Sequence, residues 1–138
     1  MNIRPFTEAD TVGVTELWQA AFPDNPPHST PAVSIPLKLA FQRDLFFVAE
    51  AGAAIVGTVM AGYDGHRGWL YAVAVCPDHR RHGVGTALVH HAEAAMRGLG
   101  CPKVNLQVRA TNAEVVAFYR SLGYQVEERI SMGKLLAR

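Results

Sequence analysis

The chain has 138 residues, a size typical of one compact domain, so we predict a single domain over residues 1–138. Hydrophobic residues make up 49% of the sequence, which is enough for a buried core and argues against disorder. The formal net charge of +1 lacks the basic footprint of a nucleic-acid-binding domain, and no apolar run resembles a signal peptide or a membrane span. We therefore expect a cytoplasmic protein with no nucleic acid and no membrane as partner.

The first third of the sequence predicts a strand, an amphipathic helix and a proline-rich loop. The strand covers residues 2–5, and Thr7 is the predicted N-cap of the helix, in which apolar residues recur at helical spacing. Five prolines between residues 23 and 36 then predict a loop, and we expect a short helix over residues 36–43 after it.

The middle of the chain predicts three strands and a long helix. Residues 45–51 and 54–63 are predicted to form a hairpin, and residues 69–75 form the next strand. The helix that starts near Val84 carries apolar residues on one face and ends near Gly98.

The last third of the sequence predicts three strands and one helix. Residues 103–109 alternate between apolar and polar, as in a strand with one buried face. Thr111 and Glu114 have the spacing of a capping box, and residues 124–128 and 131–136 are predicted to be the final strands. The order of elements predicts a mixed α+β fold with a mostly antiparallel sheet covered by helices.

The most informative stretch is a glycine-rich turn between an apolar strand and the following helix. Backbone N–H groups at the start of a helix have no partners within it, and they attract phosphate oxygens. Gly83 and Gly85 lack the side chains that would keep a diphosphate away from the backbone. Positive charge at the rim comes from Arg80, Arg81 and His82. We therefore predict a site for a diphosphate-bearing cofactor.

The spacing of these glycines differs from two common phosphate loops. No Gly-Lys-Ser or Gly-Lys-Thr is present, as a mononucleotide P-loop requires, and Leu88 stands where a dinucleotide fingerprint needs its third glycine. The pattern is instead Arg-x-x-Gly-x-Gly, formed by Arg80, Gly83 and Gly85. It resembles the acetyl-CoA pyrophosphate loop of the GCN5-related N-acetyltransferases, the GNAT family.

A second stretch, which begins at Asn112, extends this resemblance. Asn112, the pair Phe118-Tyr119 and the pair Gly123-Tyr124 are similar to the family's asparagine, its helix tyrosine and its Leu-Gly-aromatic ending. The predicted order of elements is also that of GNAT domains, and residues 62–68 resemble a small bacterial branch of the family. The resemblance implies a GNAT fold, with a twisted sheet of six to seven strands flanked by about four helices.

The resemblance also implies acetyl-CoA as co-substrate, with no metal, in an opening between the strand that ends at Val75 and the strand over residues 104–109. The first of these strands would pair with the pantetheine arm and stabilise an oxyanion, while residues 81–86 would hold the pyrophosphate. Asn112 would bind the pantetheine amide region. The implied cofactor-binding residues are Val73, Ala74, Val75, Arg80, Arg81, His82, Gly83, Val84, Gly85, Thr86, Asn112 and Tyr119.

Tyr119 matches the family tyrosine that protonates the leaving thiolate. A phenol with a pKa of about 10 is protonated at neutral pH, as a general acid must be. Taken alone, an aromatic residue at helical spacing is more often a core residue. The matching Asn112 and the phosphate loop favour the catalytic role.

The general base is not evident in the sequence. Trp69 and Tyr71 stand where many family members carry Glu or His, and Gln107, which cannot act as a base, stands where others carry Glu. One explanation is a proton relay through water by Tyr71, His66, Asp64 or Glu50. For His66, the alternative, which the sequence slightly favours, is a turn residue bonded locally to Asp64.

The other explanation is an acceptor amine that needs little help. An α-amino group with a pKa of about 7.7–8.0 is partly neutral at about pH 7.5, whereas a lysine with a pKa of about 10.4 is not. The sequence therefore leans toward an amine of low pKa. The acceptor opening would be flanked by Trp18, Phe22 and Trp69, although Trp18 is equally well explained as a helix-core residue.

We therefore expect direct transfer of an acetyl group to a small-molecule or peptide primary amine in a ternary complex. Neither Cys76 nor Cys101 is placed to act as a covalent carrier. Two alternatives are a non-catalytic acyl-CoA-binding sensor with the same fold and an unrelated nucleotide-binding protein. The expected oligomeric state is a monomer or a homodimer.

Overall fold

The described part of the chain, residues 1–136 in a computed structural model, divides into two compact units. Met1–Leu106 contains a five-stranded sheet and three α-helices, and Gln107–Arg138 contains the fourth. The α-helices are α1 (Thr11–Ala21), α2 (Pro31–Leu39), α3 (Val84–Gly98) and α4 (Ala113–Ser121). The strands are β1 (Asn2–Pro5), β2 (Phe46–Ala51), β3 (Ala54–Tyr63), β4 (Gly68–Val75) and β5 (Val104–Asn105).

The sheet has the order β1-β2-β3-β4-β5, so strands adjacent in sequence are also adjacent in space. The first four strands pair antiparallel, and β5 pairs parallel to β4 after the crossover through α3. The predicted mixed α+β class, with its mostly antiparallel sheet, is thereby confirmed. Within residues 1–136 no helix combines the length and the apolar character that a membrane span requires.

The predicted six to seven strands exceed the five that form in the described residues. β5 is limited to two of the residues predicted over 103–109, and no strand forms over 124–128 or 131–136. Apolar residues there are exposed, such as Val126 at 69% and Met132 at 90%. Alternation of apolar residues predicts a strand only where a neighbouring strand supplies the backbone hydrogen bonds, which the sequence pattern does not specify.

Two helix boundaries also differ from the prediction. α2 begins at Pro31 rather than at residue 36, because a proline at the first helical position has the φ angle of a helix and needs no N–H partner there. Pro36 lies within this helix. At the start of α4, Asn112 rather than Thr111 is the N-cap, and its side-chain oxygen accepts a hydrogen bond from Val115 N at 3.3 Å.

The core lies on both faces of the sheet. On one face, α1 and α2 bury Trp18 against Phe46, and Phe46 stacks on Phe6 with ring centroids 4.4 Å apart. On the other face, α3 buries Leu88 and its apolar stripe against β3 and β4. Gly57 of β3 permits this close approach, since a Cβ atom there would lie 2.8 Å from Leu88 Cδ1.

A partly buried ion pair ties β1 to the turn before α1. Arg4 donates two hydrogen bonds of 2.8 Å to the Asp10 carboxylate, which is 6% exposed, and a third of 3.1 Å to Glu50 on β2. The Asp10 carboxylate also accepts the Thr7 backbone N–H at 2.8 Å. The Arg4 guanidinium, acting mainly through these hydrogen bonds, lowers the pKa of Asp10.

We expect Asp10→Asn to lower the free energy of unfolding by about 2–3 kcal/mol near neutral pH, because Arg4 loses its buried anionic partner. A lowered folded-state pKa contributes stability above the unfolded-state pKa and loses it as the pH falls through the folded value. The wild type should therefore lose more stability than the variant between about pH 5 and about pH 2. Urea unfolding across that range measures both effects.

Glu8→Gln is the matched control, because Glu8 pairs with Arg43 at 2.6 Å on an exposed surface. Exposed ion pairs contribute little, so its unfolding midpoint should stay close to that of the wild type. Equal losses in the two variants would contradict the structural role assigned to Asp10.

Candidate active site

The glycine-rich turn leads directly into α3. A 3₁₀ turn over Pro77–His79 follows β4, and Gly83 is the N-cap of α3 with a left-handed φ of 79°. Arg81 also has a positive φ, at 66°, which is uncommon for a residue with a side chain. This conformation exposes Arg80, Arg81 and His82 beside the first turn of α3. Backbone donors at a helix start and flexible cations therefore lie together, as an anion site requires.

His79 adds an observation at the same turn. Its Nδ1 is buried without a hydrogen-bond partner in residues 1–136. Buried polar atoms in folded proteins are nearly always paired, so an orphaned one beside a helix start is typical of a place where a ligand or water completes the bonding. The donor set at this turn, made of helix-start amides, two arginines and a histidine, fits a diphosphate.

β4 offers an open backbone edge next to this turn. Its pairing with β5 covers only Gly68 with Val104 and Trp69 with Asn105. From Leu70 to Val75, β4 has no strand neighbour on that side among the described residues. An edge of this kind pairs with an extended ligand that carries amide groups.

β4 also contains a bulge in the middle of this edge. Thr58 of β3 lies opposite Ala74 and Met60 lies opposite Tyr71, so two residues of β4 face one residue of β3. Ala72 at the bulge has a φ of 48°, in the left-handed region that favours glycine. The extra residue shifts the alternation of side chains along β4.

Tyr71 lies on the face of the sheet that α1 and α2 cover in part. It is 53% exposed, and partial burial followed by the nearby Asp64 carboxylate raises the pKa of its phenol. Near it, the Lys38 ammonium donates to Ala61 O, and partial burial lowers the pKa of Lys38. The Gln42 amide donates to Tyr63 O and accepts from Tyr63 N. These two side chains bond to backbone groups of β3 that lie past the pair Phe46–Met60, where β2 has not yet begun.

The other candidates for a proton relay are held differently. Asp64 accepts the backbone N–H groups of His66 and Arg67, each at 2.8 Å, and these bonds lower its pKa. The backbone N–H of His66 thus stabilises this turn, and its imidazole ring is exposed. Glu50 accepts from Arg4 within the structural ion pair.

The three residues expected around the acceptor lie at different depths. Trp18 is 2% exposed, and its indole N–H donates to Thr58 Oγ1 at 2.8 Å, so it is a core residue whose polar atom is already bonded. Phe22, at the end of α1, and Trp69, on β4, are half-buried. These last two residues retain surface that an acceptor can contact.

Tyr119 and Asn112 belong to the second unit. Tyr119 is 8% exposed, and the rings of Phe118 and Tyr124 meet it edge-on at 5.0 and 5.6 Å. Burial raises the pKa of Tyr119 to about 12. The oxygen of the Asn112 side chain is engaged in the cap of α4, and the amide nitrogen takes no part in that bond.

The sequence matches the acetyltransferase (GNAT) family over residues 11–124. A curated acetyltransferase of Yersinia enterocolitica is 41% identical over 136 residues, which cover 99% of this chain and 96% of that protein. The chain therefore belongs to the GNAT family, and its activity is acetyl-CoA-dependent N-acetyl transfer. The alternative of a non-catalytic acyl-CoA-binding sensor is not favoured, because the relatives are named acetyltransferases. The alternative of an unrelated nucleotide-binding protein is excluded by the family match.

Two solved structures share this fold. The Ard1 protein of Thermoplasma volcanium superposes with a TM-score of 0.82 and 26% identity, covering 91% of this chain and 83% of that one. An aminoglycoside N-acetyltransferase solved with CoA has a TM-score of 0.78 and 18% identity, covering 99% and 95%. The second likeness, at its low identity, shows the fold alone.

Sequence reasoning missed three residues that shape this region. Of these, Thr58 could have been noticed in the sequence, because it is a polar residue in the apolar middle of β3. Lys38 and Gln42 bond to the backbone of β3 from a distant segment, so no local pattern indicates them.

We expect Gly85→Asp to abolish most of the CoA affinity while the protein stays folded. Gly85 lies in the first turn of α3, where a carboxylate favours the helix but repels a diphosphate. Gly83 is less informative, because its left-handed φ makes any side chain there strained. Isothermal titration with CoA should show a dissociation constant raised by at least about tenfold.

His90→Asp, which places the same carboxylate on the exposed middle of α3, is the control. Its CoA affinity should stay near that of the wild type. If Gly85→Asp also binds CoA normally, the diphosphate does not sit at this turn.

Proposed function

We propose that this protein transfers an acetyl group directly from acetyl-CoA to a primary amine of low pKa, within a ternary complex of one domain that spans both units. The observation that carries this proposal is the combination, on one strand and its following turn, of an open backbone edge and a helix-start anion site. The family match across residues 11–124 includes parts of both units, which supports the single domain.

The edge of β4 supplies the backbone groups for the thioester arm. In this proposal the pantetheine amides pair with Val73–Val75 as an added strand would. The pyrophosphate is held at Arg80–Thr86, where helix-start amides and cations face it. A backbone N–H on the same strand stabilises the oxyanion that forms when the amine attacks the thioester carbonyl.

Tyr119 is proposed to protonate the leaving thiolate. Its burial supports this role, because a phenol with a pKa of about 12 stays protonated across the physiological range. The same burial fits a purely structural aromatic, so the phenol oxygen itself has to be tested. Asn112 is proposed to bind the pantetheine amides through its amide nitrogen.

The absence of an evident general base supports an acceptor that is partly neutral near pH 7.5. Glu50 and Asp64 already accept structural hydrogen bonds, which disfavours them as relays. Tyr71 is half-exposed on the sheet face nearest α2, and His66 is exposed at the adjoining turn, so both remain proposed relays. Phe22 and Trp69 are proposed to contact the acceptor.

Tyr119→Phe tests the acid. We expect kcat to fall by about 100-fold with the CoA affinity unchanged, because only the proton donor is lost. Thiol release from acetyl-CoA measures turnover, and titration with CoA measures affinity. Tyr124→Phe, a tyrosine in the same unit, serves as the control and should retain wild-type kcat. Equal rates for the wild type and Tyr119→Phe would remove Tyr119 from the mechanism.

The proposed acceptor class is tested with a panel of amines. We expect peptides with a free α-amino group and a blocked lysine to react at least about tenfold faster near pH 7.5 than peptides with a blocked α-amino group and a free lysine. The α-amine rate should level off above about pH 8, while the lysine rate should keep rising toward about pH 10. A lysine peptide that reacts as fast near neutral pH would contradict the proposed acceptor class.

A further inference from the structure

We propose that Thr58 and Trp18 are positioning residues that fix the bulge of β4 and thereby aim the Val73 N–H at the open edge of the strand. The inference rests on the proposed function for its catalytic meaning, because the Val73 amide then becomes the oxyanion donor. The hydrogen bonds on which it stands are independent of that function.

The three groups form one hydrogen-bonded chain. The Trp18 indole donates to Thr58 Oγ1 at 2.8 Å, and the Thr58 hydroxyl donates to the carbonyl oxygen of Ala72 at 2.8 Å. An indole nitrogen can only donate and a carbonyl can only accept, so the hydroxyl between them has one possible direction. The arrangement therefore holds the Ala72 carbonyl in one orientation.

Burial makes this chain costly to break. Thr58 is fully buried, and Trp18 is 2% exposed, so water cannot replace either partner. Threonine is also the polar exception in the apolar middle of β3, where valine would fill the same volume. Packing alone thus gives no reason for a hydroxyl at this position.

The bonded carbonyl sits at the strained point of β4. A non-glycine residue at a φ of 48° is uncommon, and such a conformation persists only where its surroundings hold it. The bulge places Ala72 and Val73 opposite a single residue of β3, so the ladder alone does not fix their peptide plane. The Thr58 hydroxyl supplies the missing restraint.

The peptide plane connects this restraint to the chemistry. The carbonyl of Ala72 and the N–H of Val73 belong to one planar trans peptide, in which they point in opposite directions. Because the carbonyl points to Thr58 on β3, the N–H points away from β3, toward the edge where β4 has no strand neighbour in the described residues. A preorganised N–H in that position can stabilise an oxyanion.

The test compares Thr58→Val, which keeps the volume but removes the hydroxyl, with Thr58→Ser, which keeps it. We expect Thr58→Val to lower kcat at least about tenfold with the KM for acetyl-CoA changed less than about threefold, and Thr58→Ser to retain most of kcat. Trp18→Phe, which removes the indole donor together with part of the buried ring but leaves the bond from Thr58 to Ala72, should lower kcat by a smaller factor. Rates are taken per folded molecule, well below each unfolding midpoint.

Val48→Ala is the control for loss of packing. It truncates a fully buried residue of the same core on β2, a strand that does not pair with β4, and Val48 takes no part in the hydrogen-bonded chain. Its kcat per folded molecule should match that of the wild type. If Val48→Ala and Thr58→Val lower kcat equally, the effect of Thr58 is general destabilisation and the inference fails.

Amide hydrogen exchange of residues 71–75 in the ligand-free protein gives a readout that does not depend on turnover. We expect exchange there to accelerate at least about tenfold in Thr58→Val and to stay near wild type in Val48→Ala. Unchanged exchange in Thr58→Val would overturn the inference, whatever happens to kcat. A wild type without turnover for any amine, combined with accelerated exchange, would retain the inference and defeat the proposed function.

Discussion

The structure depends on the way β4 is bonded on its two sides. On one side β3 holds it in an antiparallel ladder, and on the other it has no strand neighbour beyond Trp69 in the described residues. An edge strand is usually a liability, because its unpaired backbone groups attract any extended chain. Here the edge without a strand neighbour is short, carries a bulge and is followed by the turn that leads into α3. These features support the proposal that a ligand with amides at one end and phosphates at the other pairs with this strand.

The anion site is tied to the same strand by packing. Gly57 of β3 lets α3 approach so closely that an added Cβ would lie 2.8 Å from Leu88 Cδ1 and 3.1 Å from the backbone oxygen of Ala74. The first turns of α3 are therefore held in place by packing against β3 and β4. Since interiors pack densely, a shift of α3 would have to move the strand as well. The distance between the proposed diphosphate site and the β4 edge thus follows from core contacts.

Periodicity and turn chemistry predicted most of the first unit, from β1 through α3, because most elements there bury one face and have a glycine or a proline at or near their end. α2, which ends at Leu39 without either residue, is the exception, and its bounds were predicted wrongly. The Arg-x-x-Gly-x-Gly turn was predictable for the same local reason. What the sequence could not predict depends on partners distant along the chain. β5 has only two residues because its pairing with β4 covers only Gly68 and Trp69, and the alternation over 124–136 has no sheet neighbour in the described residues. The bulge could not be predicted either, since Ala72 is an alanine within an apolar strand and no glycine marks the position.

In this proposal backbone groups bind the coenzyme and side chains contact the acceptor, which explains why the family is easier to assign than the acceptor. The contacts proposed for acetyl-CoA are mostly with main-chain groups, so they require only a particular path of the chain and a few glycines. Side chains such as Trp18 and Thr58 then matter because they hold that path in place. In the proposed function the acceptor, by contrast, contacts side chains, and Phe22, Trp69 and Tyr71 retain accessible surface for this. Phe22 and Trp69 lie outside both the bulge and the Arg80–Thr86 turn, so the contacts proposed for the coenzyme are compatible with many different amines.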